Sequence, residues 1–191
     1  MEPTKFYKRE YLEAWYTVKT KEKEERAKEV IKKHVEKTAV VAISGKDSLV
    51  SLAITAMVAK ENPKSFEFTA VVGKYFIDRE IPTKIVNELV EIAKQFCDVY
   101  IFEEKWNVHA DLFALIAKRY KVDTIISGIR NSENGFHPQV EYRWWGKLIN
   151  PISHWGLRDV WAFIAHYRIR IPNLYYLAPV PWARLQDLMF D

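Results

Sequence analysis

The stretch Ser44-Gly45-Lys46-Asp47-Ser48 sets a glycine and a lysine between two hydroxyls, at the junction of two apolar segments. Glycine lets the backbone come close to an anion, and the open N–H groups of a following helix's first turn face such a ligand. The Ser44 and Ser48 hydroxyls can donate to phosphate oxygens, and Lys46 brings a positive charge. Asp47 can cap the helix or orient the lysine. The common mononucleotide loop is a different pattern: it needs glycine where Val40 stands and Ser or Thr where Asp47 stands. A plain turn is the simpler alternative, yet a turn requires neither the lysine nor the flanking serines.

A second candidate follows the segment 123–127, where Gly128 and Arg130 stand two apart. A guanidinium at a strand exit can present a two-pronged donor to phosphate or sulfate. A surface salt bridge is the competing reading. His137, Arg143, Lys147 and Arg158 would add to an anion-binding mouth if the segment 131–147 folds over it. The five histidines have no paired spacing and give no metal site. Cys97, the single cysteine, excludes an internal disulfide and any multi-cysteine metal site within one chain. Its place between Phe96 and Asp98 reads as a small buried residue rather than a nucleophile.

These residues need a frame. The segment 38–43 is a β-branched run closed by Ser44-Gly45, the pattern of a buried strand. Residues 48–60 are apolar nearly all round, which fits a fully buried helix ended by Asn62-Pro63. Further strands are predicted within 66–77, which includes a connecting loop, and at 98–102, 123–127 and 147–152. Helices are predicted at 81–96, 111–120 and 157–167. Strands separated by helices imply an α/β fold: a doubly wound parallel sheet of about five strands with helices on both faces. Ligands bind such sheets beyond the carboxyl ends of the strands, near the switch in strand order. The first 37 residues contain no glycine and read as an N-terminal helical extension, with Leu12, Trp15, Tyr16, Ala27, Val30, Ile31 and His34 as its docking stripe.

At 191 residues the chain suits one domain with a core of its own. With 49% hydrophobic and 28% charged residues, its composition is globular rather than disordered. A net charge of +4 is compatible with anionic small molecules and too small to argue alone for nucleic acid. No apolar run approaches the roughly 20 residues of a membrane span, and no signal-peptide core follows the N-terminus. A soluble, cytoplasmic protein without a membrane partner is the expectation.

The loop 44–48 resembles the pyrophosphate-binding loop of the ATP pyrophosphatase superfamily, the PP-loop or adenine nucleotide alpha hydrolase-like proteins. That loop usually reads Ser-Gly-Gly-Lys-Asp-Ser. The resemblance is strongest to the phosphoadenosine phosphosulfate (PAPS) reductase branch, which includes the small subunit of sulfate adenylyltransferase. Tyr75-Phe-Ile-Asp78 and Ile81-Pro82-Thr83 are similar to that branch's Asp-Thr-Gly and Pro-Glu-Thr segment. Ser127-Gly-Ile-Arg130-Asn-Ser132-Glu133 is similar to its Gly-Ile-Arg element. Asn150-Pro151-Ile152-Ser-His-Trp155, Asp159-Val160-Trp161 and Asn173-Leu174-Tyr175 follow in the branch's order. This sequence has one loop glycine rather than two, Arg79-Glu80 where the branch has Thr-Gly, and no cysteine after residue 97.

The resemblance implies an enzyme that binds ATP or a related adenine nucleotide and acts at the α-phosphate, by adenylyl transfer or pyrophosphate release. It places the chain in sulfur metabolism. Lys46 and Arg130 would be catalytic, and Ser44, Gly45, Asp47, Ser48, Asp78 and Gly128 would join them in binding the nucleotide. Glu133, His137, Arg143 and Lys147 would contact the anion or substrate, and magnesium would arrive with the ATP phosphates. The reductases attack with a cysteine in a C-terminal tail, which has no counterpart here. The expected organisation is the extension at 1–37, a nucleotide-binding domain at 38–176 and a tail at 177–191. Two readings compete: a PAPS reductase using a thiol from elsewhere, and a non-catalytic nucleotide or nucleic-acid binding module. In the latter, the basic N-terminal helix with Arg168, Arg170 and Arg184 would supply the charge. The acceptor substrate and any partner subunit stay open.

Overall fold

The computed structural model describes residues 7–76, 79–106 and 109–177. The chain opens with helix α1 (Arg9–Trp15), passes through a π-helical turn (Tyr16–Thr20) and continues as α2 (Lys21–His34). Strand β1 (Thr38–Ile43), helix α3 (Lys46–Glu61) and strand β2 (Glu67–Gly73) follow. A two-stranded antiparallel hairpin, β3 (Tyr75–Phe76) with β4 (Arg79–Glu80), precedes α4 (Thr83–Ala93). Then come β5 (Val99–Phe102), α5 (His109–Tyr120), β6 (Thr124–Ile126) and the short α6 (Asn131–Asn134). The hairpin β7 (Val140–Arg143) and β8 (Gly146–Ile149) leads to α7 (Leu157–Tyr167) and α8 (Leu174–Leu177).

The main sheet has six strands in the order β5-β2-β1-β6-β8-β7, all parallel except the edge strand β7. Successive residues of a strand point to opposite faces, and both faces are buried here. In β1, Ala39, Val41 and Ile43 enter one core while Val40 enters the other. Ala70 and Val72 oppose Val71 in β2, Ile126 opposes Ile125 in β6, and Ile149 opposes Leu148 in β8. Helices α3, α4 and α7 cover the first face, and α5 covers the second. The π-turn and α1 pack on α7, and α2 packs on α3. Helix α3 thus lies between the sheet and another helix, which is why its sequence is apolar all round. No helix among the described residues is long and apolar enough to cross a membrane.

Three expectations change. The segment 131–147, expected as a loop, contains α6 and strand β7, so the sheet has six strands rather than about five. Val140 to Arg143 has no β-branched run, and it becomes a strand through pairing with β8. The strand predicted at 147–152 ends at Ile149, because Pro151 has no N–H to donate and the chain turns there. Helix α3 begins at Lys46, so Lys46 and Asp47 belong to its first turn.

Candidate functional site

Parallel strands put the loops that follow them at one end of the sheet. β2 lies on one side of β1 and β6 on the other, so the switch in strand order falls between β1 and β6. Loop 44–48 leaves β1 there, and Gly128 leaves β6 beside it. A Cβ on Gly128 would stand 2.3 Å from Ser48 N and 2.6 Å from the Asp47 carbonyl carbon. Only a residue without a side chain lets the two loops approach this closely.

That approach brings Arg130 to the first turn of α3. Arg130 Nε donates to Asp47 Oδ1 at 2.8 Å, while Lys46 Nζ donates to Asp47 Oδ2 at 3.1 Å. One carboxylate therefore holds both cations, each by a charge-assisted bond. Lys46 is 1% exposed and Arg130 3%, while the Asp47 carboxylate between them is partly open to solvent. Arg130 Nη1 also donates to Ser132 Oγ at 2.8 Å and to the Trp155 carbonyl at 3.5 Å. Orienting the lysine, one of the two roles anticipated for Asp47, matches this geometry. Gly45 is the N-cap residue.

The loop's hydroxyl and amides are engaged within the chain. Ser48 Oγ accepts from the Ser44 and Gly45 amides at 2.9 and 3.0 Å and donates to the Gly45 carbonyl at 2.9 Å. The Lys46 amide donates to Tyr175 Oη at 3.1 Å, and Lys46 Nζ sits 5.2 Å from the centre of the same ring. Tyr175, which also meets Trp161 edge to face, is a site residue that the sequence reading passed over. Its signal was present, as the end of the Asn173-Leu174-Tyr175 segment. Ser127 Oγ donates to Asn150 Oδ1 at 2.6 Å and Ser51 Oγ donates to the Ser127 carbonyl at 2.9 Å, bracing the β6 exit. The Asn131 amide donates to the Ser153 carbonyl at 2.8 Å, so the segment 150–155 supports the Arg130 loop.

The outer ring of predicted contacts divides. His137 lies on the site side, where its amide donates to Asn131 Oδ1 at 2.7 Å and its Nδ1 is 3.6 Å from Glu141. Lys147 does not: it starts β8, at the opposite end of the sheet, and donates to the His34 carbonyl and Glu36 at 3.0 and 2.8 Å. Arg143 ends the antiparallel β7 at that same far end and pairs with Glu141. Both positions follow from the hairpin, which carries the chain away from the site and back. Arg158 stacks on Trp15, 5.2 Å from the ring centre, and so joins α7 to α1 instead of an anion mouth. Asp78, the Glu133 side chain and Arg184 lie outside the described residues.

Cys97 precedes β5 and is thus at the end of the sheet remote from loop 44–48. Burial pushes its thiol up to about 11, which leaves little thiolate near neutral pH. No group of three His, Cys, Asp or Glu side chains that could hold a metal occurs among the described residues. Both Asp47 oxygens are taken by Lys46 and Arg130. The described residues therefore form no protein cage for magnesium.

No protein-family model and no curated protein matches this sequence. Solved structures do match. The chain aligns with the U34-tRNA thiolase NcsA from Methanococcus maripaludis, described with its 4Fe–4S cluster, at a TM-score of 0.60 and 16% identity, covering 88% of this chain and 68% of that one. An FMN adenylyltransferase from Candida glabrata, in complex with FMN and the ATP analogue AMPCPP, matches at 0.59 and 15%, covering 82% and 62%. A PAPS reductase from Candida auris, as a phosphate complex, matches at 0.56 and 16%, covering 94% and 97%. At these identities the likeness is one of fold, a mostly parallel sheet covered by helices. The chain spans less than two thirds of the adenylyltransferase and nearly the full length of the reductase. Residues 44–48 occupy the turn between the first strand of the sheet and the helix that follows it.

Proposed function

We propose that the chain is an adenine-nucleotide enzyme that holds the pyrophosphate part of ATP, or the anionic end of a related sulfonucleotide, on loop 44–48 and acts at the α-phosphate. The observation that carries this reading is the Lys46–Asp47–Arg130 arrangement at the switch point, with bonds of 3.1 and 2.8 Å. The fold adds support, since the similar solved structures include proteins crystallised with an ATP analogue and with phosphate.

In the proposed reaction a nucleophile attacks the α-phosphorus, and the bond to the bridging oxygen breaks. The electron pair leaves with pyrophosphate. The protein's part is electrostatic: Lys46 and Arg130 neutralise charge that grows on the leaving group. Asp47 keeps both cations aimed and prevents either from swinging to solvent. Binding on this loop exchanges internal bonds for ligand bonds, because the Lys46 amide must release Tyr175 Oη to donate to a phosphate oxygen. Magnesium would enter with the nucleotide. Adenylyl transfer is favoured over sulfonucleotide reduction because the only thiol, Cys97, lies at the remote end of the sheet with a raised pKa.

The test is product analysis with ATP and a panel of oxyanion acceptors, sulfate first. Pyrophosphate is the expected product, with its release falling about a hundredfold in Lys46→Met, the scale for loss of one transition-state donor. Release of inorganic phosphate instead would mean cleavage between the β and γ positions and would contradict the reading.

A further inference from the structure

The ends of β1, β6 and β8 remote from loop 44–48 carry a cavity of about 540 Å³ that the proposed chemistry does not use. Lys37, Lys118, Lys121, Trp144 and Trp145 are among its lining residues. Trp144 is 89% exposed, the highest value among the exposed large apolar side chains. An indole on the surface loses hydrophobic stabilisation, and the usual remedy is a rotation toward the core. The local structure resists that remedy. Next to it, Trp145 packs into the second core with Leu112, Leu115 and Val122. Gly146 has φ +141°, and a Cβ there would stand 2.1 Å from the Asp123 carbonyl oxygen. The Lys147 amide bonds that same oxygen at 2.6 Å. The hairpin turn is therefore pinned on its far side, next to the solvent-facing Trp144.

Charge supplies the second observation. Among the described residues, no carboxylate forms a salt bridge with Lys37, Lys118 or Lys121, although most lysines of α2 have such partners. Two acids also stand on the cavity wall, Glu36, which pairs with Lys147 at 2.8 Å, and Asp123, whose Oδ1 accepts from Thr124 Oγ1 at 2.8 Å, so the three lysines leave the wall net positive. Lys118 also complements the C-terminal end of α5, but that role accounts for neither Lys37 nor Trp144. Lys121 takes φ 54° where glycine is the favoured residue, so a long cation stands at the rim at a conformational cost.

We infer that this cavity is a binding site for a single-stranded polynucleotide, in which one base stacks on Trp144 and the neighbouring phosphates lie on Lys37, Lys118 and Lys121. An exposed aromatic face with flanking cations is what an unpaired base and its backbone require. An acidic peptide would answer the lysines and leave the indole face unused. A duplex hides its base faces and would not use it either. The site is independent of the nucleotide reading, because it shares no residue with loop 44–48 or Arg130.

Fluorescence anisotropy with labelled oligouridylate and oligothymidylate tests the inference on the full chain. Both strands bind, since nothing in the cavity reads the sugar. Trp144→Ala weakens binding at least about tenfold, in line with the loss of one stacked base. Replacing Lys37, Lys118 and Lys121 by alanine reduces the slope of log affinity against log salt by about 2, the value for three single-strand phosphates. Trp144 is solvent-exposed, so its variant keeps the fold, and Lys46→Met leaves strand binding unchanged. The inference is overturned if neither strand binds, if Trp144→Ala binds equally well, or if polyglutamate or a duplex binds as tightly. It is also overturned if Trp144→Ala only converts a dimer to a monomer in sedimentation, which would make the face a contact between copies.

Discussion

Asp47 is the residue on which the site turns, because its two oxygens serve two cations that arrive on different loops. Arg130→Lys keeps the charge but loses the planar fork, and a lysine cannot reach Asp47, Ser132 and the Trp155 carbonyl together. That variant is expected to lose about 1–3 kcal/mol of ATP affinity, the range for hydrogen bonds to charged groups. Adenosine, which lacks the anion, should bind both forms equally in calorimetric titration. Equal losses for both ligands would make Arg130 a brace of the fold and nothing more. Gly128→Ala is a test of the close approach itself. Its added methyl meets backbone at 2.3 Å, and backbone cannot step aside as a flexible side chain can. Denaturant unfolding should show a loss of at least about 1–3 kcal/mol, as for other overpacked sites. Which residues cluster was legible from Ser44 to Ser48 and from Gly128 to Arg130, since each group sits where a buried strand ends. The partner each side chain chooses was not legible. The Tyr175 hydroxyl reaches the Lys46 amide across 129 positions of sequence, and no local pattern encodes that contact.

Asp159, a buried carboxylate at the start of α7, is one of the ties between the N-terminal helices and the body. Asp159 accepts from Trp15 Nε1 and Thr20 Oγ1 at 3.0 Å each, from Lys23 Nζ at 2.5 Å and from the Gly156 amide at 2.8 Å. The π-turn places Trp15 and Thr20 side by side, so both reach the same oxygen. Burial raises the Asp159 pKa, but the bonds from Lys23, Trp15 and Gly156 outweigh it and leave the carboxyl below its ordinary value. A carboxylate depressed in the native state contributes stability that is complete above its unfolded pKa of about 3.9. That contribution disappears as pH falls through the lower native value. Circular dichroism during acid titration should therefore show wild type losing stability below about pH 4. Asp159→Asn should be less stable at neutral pH and show a shallower acid limb; an identical limb would place the acid sensitivity elsewhere. The same helices pair most of their own cations, with Arg26 on Glu22, Lys28 on Glu24 and Lys32 on Glu29 and Glu61. A basic N-terminal helix offered to nucleic acid is thus largely neutralised by its neighbours. Helix α7 was legible to the residue, because glycine precedes it and its apolar face repeats without interruption. Strand β7 was illegible, because four alternating residues become a strand only when β8 lies beside them.

At the scale of the whole molecule, one sheet separates two ends with different chemistry. The ends that follow β1 and β6 gather Lys46, Asp47, Arg130 and Tyr175. The ends that precede β1, β6 and β8 carry lysines and an outward tryptophan. Alternation of apolar residues and strand-helix order were enough to read the doubly wound sheet, since both faces must be covered. They did not fix where the 131–147 segment runs, and so Arg143 and Lys147 were assigned to the wrong end. A hairpin reverses direction, and composition alone does not say where the reversal falls. The central claim concerns the end near loop 44–48, and direct titration of ATP into wild type and Lys46→Met tests it. Methionine keeps the buried stem in place and removes only the charge. The account predicts that wild type binds ATP and that the folded variant binds about tenfold or more weakly, the loss of one charge-assisted bond. Equal affinity in a folded Lys46→Met variant would contradict it.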